Sequence, residues 1–248
     1  MLSIQQHGTV SEINLNYPPA NAMDTEFVKA LRSSLAEVAA GEAKAVVISG
    51  RPGMFSGGID VPGLLPQPRE VVLEFWTEFL LLMRDVAACP VPVVAAMTGH
   101  SPAGGGVLAI HCDYRIAAAG DFKIGLNEVQ VGLPVPASIL RVFAFVVGER
   151  QAQKLAMQGQ LISPDEALAT GLVDDLADGP ESVVAKAVEF AAKLTKLPPV
   201  AMNTTRLQAK SALLDSLACE RDAKITTDYW FSDETQAAMQ ALVERLKK

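Results

Sequence analysis

Apolar and polar positions along the first three-quarters of the chain switch repeatedly between a short period and a helical one. Ile4 to Gln6 and Val10 to Leu15 alternate loosely around Gly8, which predicts an antiparallel pair ended by Asn16-Tyr17-Pro18-Pro19. Phe27, Leu31, Leu35 and Val38 recur at helical spacing, with Asp24 as N-cap and Gly41 as the stop. Ala45 to Ser49 reads as a short buried strand. From Glu70 to Ala88 one helical stripe carries Val72, Phe75, Trp76, Phe79, Met83 and Val86. Tyr114 to Ala118 and Phe122 to Gly125 read as strands, and helices are predicted at Ser138 to Val147 and Glu149 to Gln158. Ser163-Pro164-Asp165-Glu166 is a capping box that starts another helix, ended by Gly171. Leu172-Val173-Asp174 reads as a short extended piece. From Glu181 the pattern is helical, with Pro198 and Pro199 separating one helix from the last two. Apolar residues in those last helices (Leu207, Leu213, Leu214, Leu217, Met239, Leu242, Leu246) need either the chain's own core or another subunit to cover them. Strands alternating with helices, followed by an all-helical end, define an α/β class.

At the centre lies Val93 to Asp113: an uninterrupted apolar strand bounded by Pro92 and Gly99, a glycine-rich turn, and a short apolar helix opened by Gly104-Gly105-Gly106. The first helical turn has N–H groups without intrahelical partners, and glycine lets another group come close to them. Such a place suits a developing negative charge on an oxygen. A glycine turn used only for close helix packing is the alternative. Gly50 to Asp60, after the preceding strand, repeats the strand-to-glycine pattern.

Composition narrows the possibilities. With 248 residues, 50% of them hydrophobic, the chain can build one large core, alone or with a smaller appendage. A net charge of −7 argues against a nucleic-acid surface. No apolar run reaches membrane-span length, and the opening residues lack a basic-then-apolar signal, so a cytoplasmic protein without membrane contact is expected. Cys89, Cys112 and Cys219 are scattered, as in a reducing compartment, and His7, His100 and His111 form no metal-ligand spacing.

Three chemistries compete. Gly99-His100-Ser101-Pro102-Ala103 approaches a nucleophile elbow, but the residue after the serine is Pro102, which has no N–H for an oxyanion, and no histidine follows His111. Neither glycine turn fits a dinucleotide or phosphate-loop pattern. The third candidate pairs glycine-turn amides with Glu128, whose apolar neighbours in Leu126-Asn127-Glu128-Val129 would raise its pKa and suit it to proton transfer. A surface acid or half of an ion pair is the plainer reading of Glu128 alone.

Taken together, Phe55-Ser56-Gly57-Gly58-Ile59-Asp60, Gly99 through Asp113, and Ile162 to Ala167 with Gly171-Leu172-Val173 resemble the crotonase (enoyl-CoA hydratase/isomerase) superfamily over essentially the whole chain. Within it, Ser101 to Gly105, Cys112 to Ile116 and Ile124 to Gly132 look most similar to 3,2-enoyl-CoA isomerases. The resemblance implies a spiral of ββα units over residues 1–194 and a helical region over 195–248 that builds homotrimers. It implies an acyl-CoA thioester substrate whose carbonyl is held by the Ile59 and Gly104 N–H groups, and no cofactor beyond the substrate's coenzyme A. The backbone of Ser56, Gly57, Gly58, Ile59 and Asp60 would line the thioester and pantetheine end. Asn127 would orient Glu128 or touch the acyl chain, with a loop-capping role as the alternative. The first catalytic glutamate of hydratases falls on Val107 and the second on Glu128. One carboxylate serves a 1,3-proton shift, whereas hydration is best served by two. The expectation is therefore an isomerase with Glu128 as sole acid/base. A hydratase or other crotonase-type lyase, and a non-catalytic acyl-CoA binder, are the alternatives.

Overall fold

The computed structural model describes residues 1–246. Nine strands follow in chain order: β1 Leu2–His7, β2 Val10–Leu15, β3 Ala45–Ser49, β4 Gly53–Met54, β5 Val93–Met97, β6 Gly99–Pro102, β7 Tyr114–Ala118, β8 Ile124–Gly125 and β9 Asp175–Ala177. The β1/β2 hairpin is antiparallel, and β2, β3, β5, β7 and β9 continue the large sheet in parallel. A small parallel sheet takes β4, β6 and β8. Chain order explains the two sheets. Each of β3, β5 and β7 in the large sheet hands over to β4, β6 or β8 in the small one, and a helical segment then returns to the large sheet. The result is a spiral of ββα turns.

The helices are α1 Thr25–Ala40, α2 Val61–Leu64, α3 Arg69–Ala87, α4 Gly104–His111, α5 Ala137–Val147, α6 Glu149–Gln158, α7 Pro164–Ala169, α8 Pro180–Leu194, α9 Pro199–Ala209, α10 Ser211–Asp215, α11 Cys219–Trp230 and α12 Asp233–Leu246. Asp24 caps α1 by accepting from the Phe27 N–H at 2.7 Å. The predicted capping box opens α7, with Ser163 N–H donating to Glu166 at 2.9 Å. The whole α3 stripe is buried. Because strands of the large sheet are covered on both faces, they read as continuous apolar runs. On one face, Val47, Val94, Ala96 and Ile116 pack against Val183, Ala187 and Ala191 of α8. On the other, Ile13, Ile48, Ala95 and Met97 join α1 and α3 in the main core.

Three expectations need correction. The stretch after β5 is not only a turn: Gly99–Pro102 pairs with both β4 and β8 as the middle strand of the small sheet. The strand expected at Leu172–Asp174 begins at Asp175, because buried Leu172 and Val173 finish the turn after Gly171 instead. Among the described residues, four helical segments, not two, follow Pro198. Their breaks at Lys210, Ser216–Ala218 and Ser232 carry neither glycine nor proline, so the pattern did not mark them.

The C-terminal helices lie on the chain's own core. Half-buried Asp113 accepts from the Val93 N–H at 2.8 Å and pairs with Arg206 at 3.0 Å and Lys210 at 2.7 Å, fastening the α9 end to the start of β5. Along α3, α11 packs so that Trp230 meets Trp76 edge-on, with ring centroids 6.1 Å apart. Among the described residues, no helix is long and apolar enough to cross a membrane.

Candidate active site

The two glycine-rich segments meet above the small sheet. Beyond β4, buried Ser56 donates to the Asn21 carbonyl at 2.8 Å and accepts from the Gly58 N–H at 3.1 Å. Gly57 N–H donates to Ala20 at 2.7 Å, and Asp60 N–H donates to Met23 at 2.9 Å. Among the described residues, the Ile59 N–H between them has no acceptor. Asp60 itself caps α2, its carboxylate accepting from the Gly63 N–H at 3.1 Å.

The second segment turns sharply at Ala103, whose φ of +44° is a left-handed conformation that a residue with a Cβ rarely adopts. Such strain, of order 1–3 kcal/mol, persists only where surrounding contacts hold it. Here the Ala103 N–H donates to Gly125 at 2.8 Å and its carbonyl accepts from the Val107 N–H at 2.8 Å. The kink presents Gly104 as the first residue of α4, and among the described residues its N–H has no acceptor either. The two segments touch. A Cβ on Gly104 would stand 3.2 Å from Gly58 Cα and 3.3 Å from the Ile59 nitrogen. A side chain at either position would crowd this approach, which sets two unpaired N–H groups side by side.

Glu128 stands on a 3-10 turn spanning Glu128–Val131 after β8. That turn is held from two sides. Gln130 donates to Gly159 at the end of α6 at 2.8 Å, and Thr235 of α12 donates to Gly132 at 2.7 Å. Glu128 is only 8% exposed, and among the described residues its buried Oε2 has no hydrogen-bond partner. Burial pushes its carboxyl up to about 7. It shares a cavity of about 20 Å³ with Ile59, Ala103 and Gly104, the rest of the wall being Trp76 and Phe79 of α3 with Pro136 and Ile139. Glu128 is the one titratable side chain in that wall.

Of the residues singled out from the sequence, Ile59, Gly104 and Glu128 meet at this cavity, and Ser56, Gly57, Gly58 and Asp60 form the scaffold behind the Ile59 N–H. Val107 lies one turn into α4, fully buried in the main core and outside the cavity wall. Asn127 makes no side-chain cap and no bond to Glu128; its amide stands 3.5 Å from Gln130, and its Oδ1 is buried without a partner. Trp76, Phe79 and Ile139 went unnoticed as site residues because their helical spacing is that of ordinary core.

Comparison with known proteins bears on the family and the fold. A profile described as enoyl-CoA hydratase/isomerase matches residues 5–248. The chain belongs to that family. It is 31% identical over 245 residues to rat mitochondrial enoyl-CoA delta isomerase 1, covering 96% of this chain and 84% of the relative. It is also 31% identical over 219 residues to human mitochondrial Delta(3,5)-Delta(2,4)-dienoyl-CoA isomerase, covering 83% of this chain and 66% of that protein. The crystal structure of human mitochondrial delta3-delta2-enoyl-CoA isomerase superposes with a TM-score of 0.95 at 28% identity, covering 99% of this chain and 98% of the other. At 18% identity, an enoyl-CoA hydratase from Bacillus halodurans shares the fold with a TM-score of 0.89. The family thus spans isomerases and hydratases on one scaffold, and the side chains of the cavity must separate them.

Proposed function

We propose that this family member is a 3,2-trans-enoyl-CoA isomerase of unsaturated fatty acyl-CoA breakdown, with Glu128 as its only acid/base. The Glu128 carboxylate takes a C2 proton from a 3-enoyl thioester. The electron pair moves onto the thioester oxygen, giving a dienolate whose charge is met by the Ile59 and Gly104 N–H groups. The carboxyl then returns its proton to C4, the double bond settles between C2 and C3, and the carboxylate is regenerated. An apolar wall keeps the carboxyl basic enough to remove a weakly acidic proton at neutral pH. The backbone from Ser56 to Asp60 lines the thioester end, and Asn127 stands at the edge of the base's turn. No cofactor enters beyond the coenzyme A of the substrate.

The observation that carries this reading is the pairing of two unspent N–H groups with a single carboxylate in an otherwise non-ionisable cavity. Addition of water across the double bond needs a group to activate the water and a group to protonate the carbon, which one carboxylate serves poorly. We also propose that the protein works as a homotrimer. Leu140 and Phe145 on α5 and Met157 on α6 leave apolar side chains in solvent, up to 70% exposed, which a second copy would cover.

Purified protein assayed side by side on 3-hexenoyl-CoA and crotonyl-CoA tests the function. Isomerisation is expected to exceed hydration by about 10²-fold or more, on the scale of one missing acid/base group. Hydration matching isomerisation would transfer the assignment to a hydratase. Acyl-CoA binding without either reaction would make the protein a binder.

A further inference from the structure

Among the described residues, no protein group outside Glu128 itself hydrogen-bonds its carboxyl, so the turn that carries it sets its place in the cavity. That turn ends at Gly132, in the left-handed conformation with a φ of +71°. The peptide unit that follows is planar and rigid, and both of its polar groups are engaged. Its N–H, on Leu133, donates to the Glu128 carbonyl at 3.1 Å. Its oxygen, on Gly132, accepts from the Thr235 hydroxyl of α12 at 2.7 Å. One peptide plane thus ties the backbone of the base to the C-terminal helix. Thr235 is fully buried and its hydroxyl is aimed: Ser232 donates to the same oxygen at 3.0 Å, leaving the Thr235 proton for Gly132. The α12 backbone seats at the same point, for a Cβ on Gly132 would stand 3.1 Å from Thr235 Cα. On its other side α12 packs against α2, the helix that follows Ile59 and Asp60. The second tie on the turn, from Gln130 to Gly159, is made by an exposed side chain. A hydrogen bond shielded from water is the stronger of the two kinds.

We propose that Thr235 is a positioning residue of the reaction: through the Gly132–Leu133 peptide it fixes the Glu128 turn, and with it the reach of the carboxyl to C2 and C4. This rests on the acyl-CoA isomerase reading and adds to it the group that aims the base. A single carboxylate that serves two carbons has to reach both from one mounting. Displacing the turn therefore lengthens at least one of the two proton transfers, and a misplacement of about 1 Å can cost about 10²-fold in rate. Thr235 does not line the cavity, so its loss acts on kcat rather than on thioester binding.

In Thr235→Val, which keeps the shape and removes the donor, kcat for 3-hexenoyl-CoA is expected to fall about tenfold or more, with KM within about threefold. Thr235→Ser keeps the donor and is expected to retain most of kcat although it lacks the buried methyl. A purely structural role would follow buried volume instead, leaving the valine variant active and the serine variant impaired. Wild-type kcat in folded Thr235→Val overturns the proposal, as does a serine variant no better than the valine one. If Thr235→Val does not fold, Thr235→Ala, which leaves room for a water at the Gly132 carbonyl, takes its place in the same comparison. Carbon-13 NMR of glutamate-labelled protein supplies a readout apart from turnover. The Glu128 carboxyl, identified by its absence in Glu128→Gln, is expected to titrate at about 7 in the wild type and lower in Thr235→Val, where a loosened turn admits water. Wild-type protein without isomerase activity would overturn the functional reading, and the titration would then decide the clamp alone, an unmoved value overturning it.

Discussion

Glu128→Gln is expected to lower kcat for 3-hexenoyl-CoA by about 10³–10⁴, the range for a positioned acid/base, while KM stays within about threefold because the amide keeps the shape of the carboxyl. Wild-type kcat/KM should rise with pH until the carboxyl ionises near 7 and then level off. The same substitution should make the protein more stable above neutrality. Folding holds this carboxyl at about 7, above its ordinary 4.5. The contribution of the buried neutral acid is fully present below about pH 4.5 and is lost as pH rises towards 7, because the unfolded chain ionises first. At ~1.4 kcal/mol per pH unit the loss comes to about 3 kcal/mol. Glutamine does not ionise and escapes it. Urea unfolding at about pH 8 should therefore find Glu128→Gln the more stable protein, with the advantage gone below about pH 4.5. A variant that is both inactive and less stable at alkaline pH would mean that Glu128 holds the fold rather than the substrate.

Gly104→Ala is expected to cost about 10²–10³ in kcat, the scale of losing one oxyanion donor. The new methyl would stand 3.3 Å from the Ile59 nitrogen, in the gap where the thioester oxygen must sit. Its contacts are tight without being impossible, and alanine is the better helix former by up to about 1 kcal/mol, so the protein should still fold. The neighbouring Gly105→Ala makes the contrast. There the methyl would lie 2.4 Å from the Ser56 carbonyl oxygen, forcing the two segments apart. Gly104→Ala should read out as a catalytic defect at near-normal Tm, and Gly105→Ala as a lowered Tm. Because alanine keeps the N–H and only fills the gap, full activity in Gly104→Ala would mean that no substrate oxygen sits between the two N–H groups.

How much of this was legible beforehand depended on the kind of signal. The Asp24 cap, the Ser163 capping box and the α3 stripe are local and periodic, and each stands where the pattern put it. The small sheet is neither. Its strands β4 and β8 have two residues each, too few to show alternation, and their partners are tens of residues away. Glu128 stood out as a lone acid among apolar residues, and burial is what raises its pKa. The roles proposed for Ile59 and Gly104 lie in backbone N–H groups, which no side-chain pattern marks; the resemblance to crotonases supplied them. Trp76 was visible as core, and only the fold puts it against Glu128. The clamp on the Glu128 turn by Thr235 joins residues 103 positions apart, beyond any local reading.

The most direct test of a single carboxylate serving both carbons is isotopic. With enzyme in excess and C2-deuterated 3-hexenoyl-CoA in ordinary water, a single turnover is followed by mass and NMR analysis of the product. Because Glu128 is buried and alone in its cavity, deuterium taken from C2 is expected at C4 of the 2-hexenoyl-CoA formed. Product whose C4 carries only solvent hydrogen, with the C2 label lost, would contradict a one-base transfer.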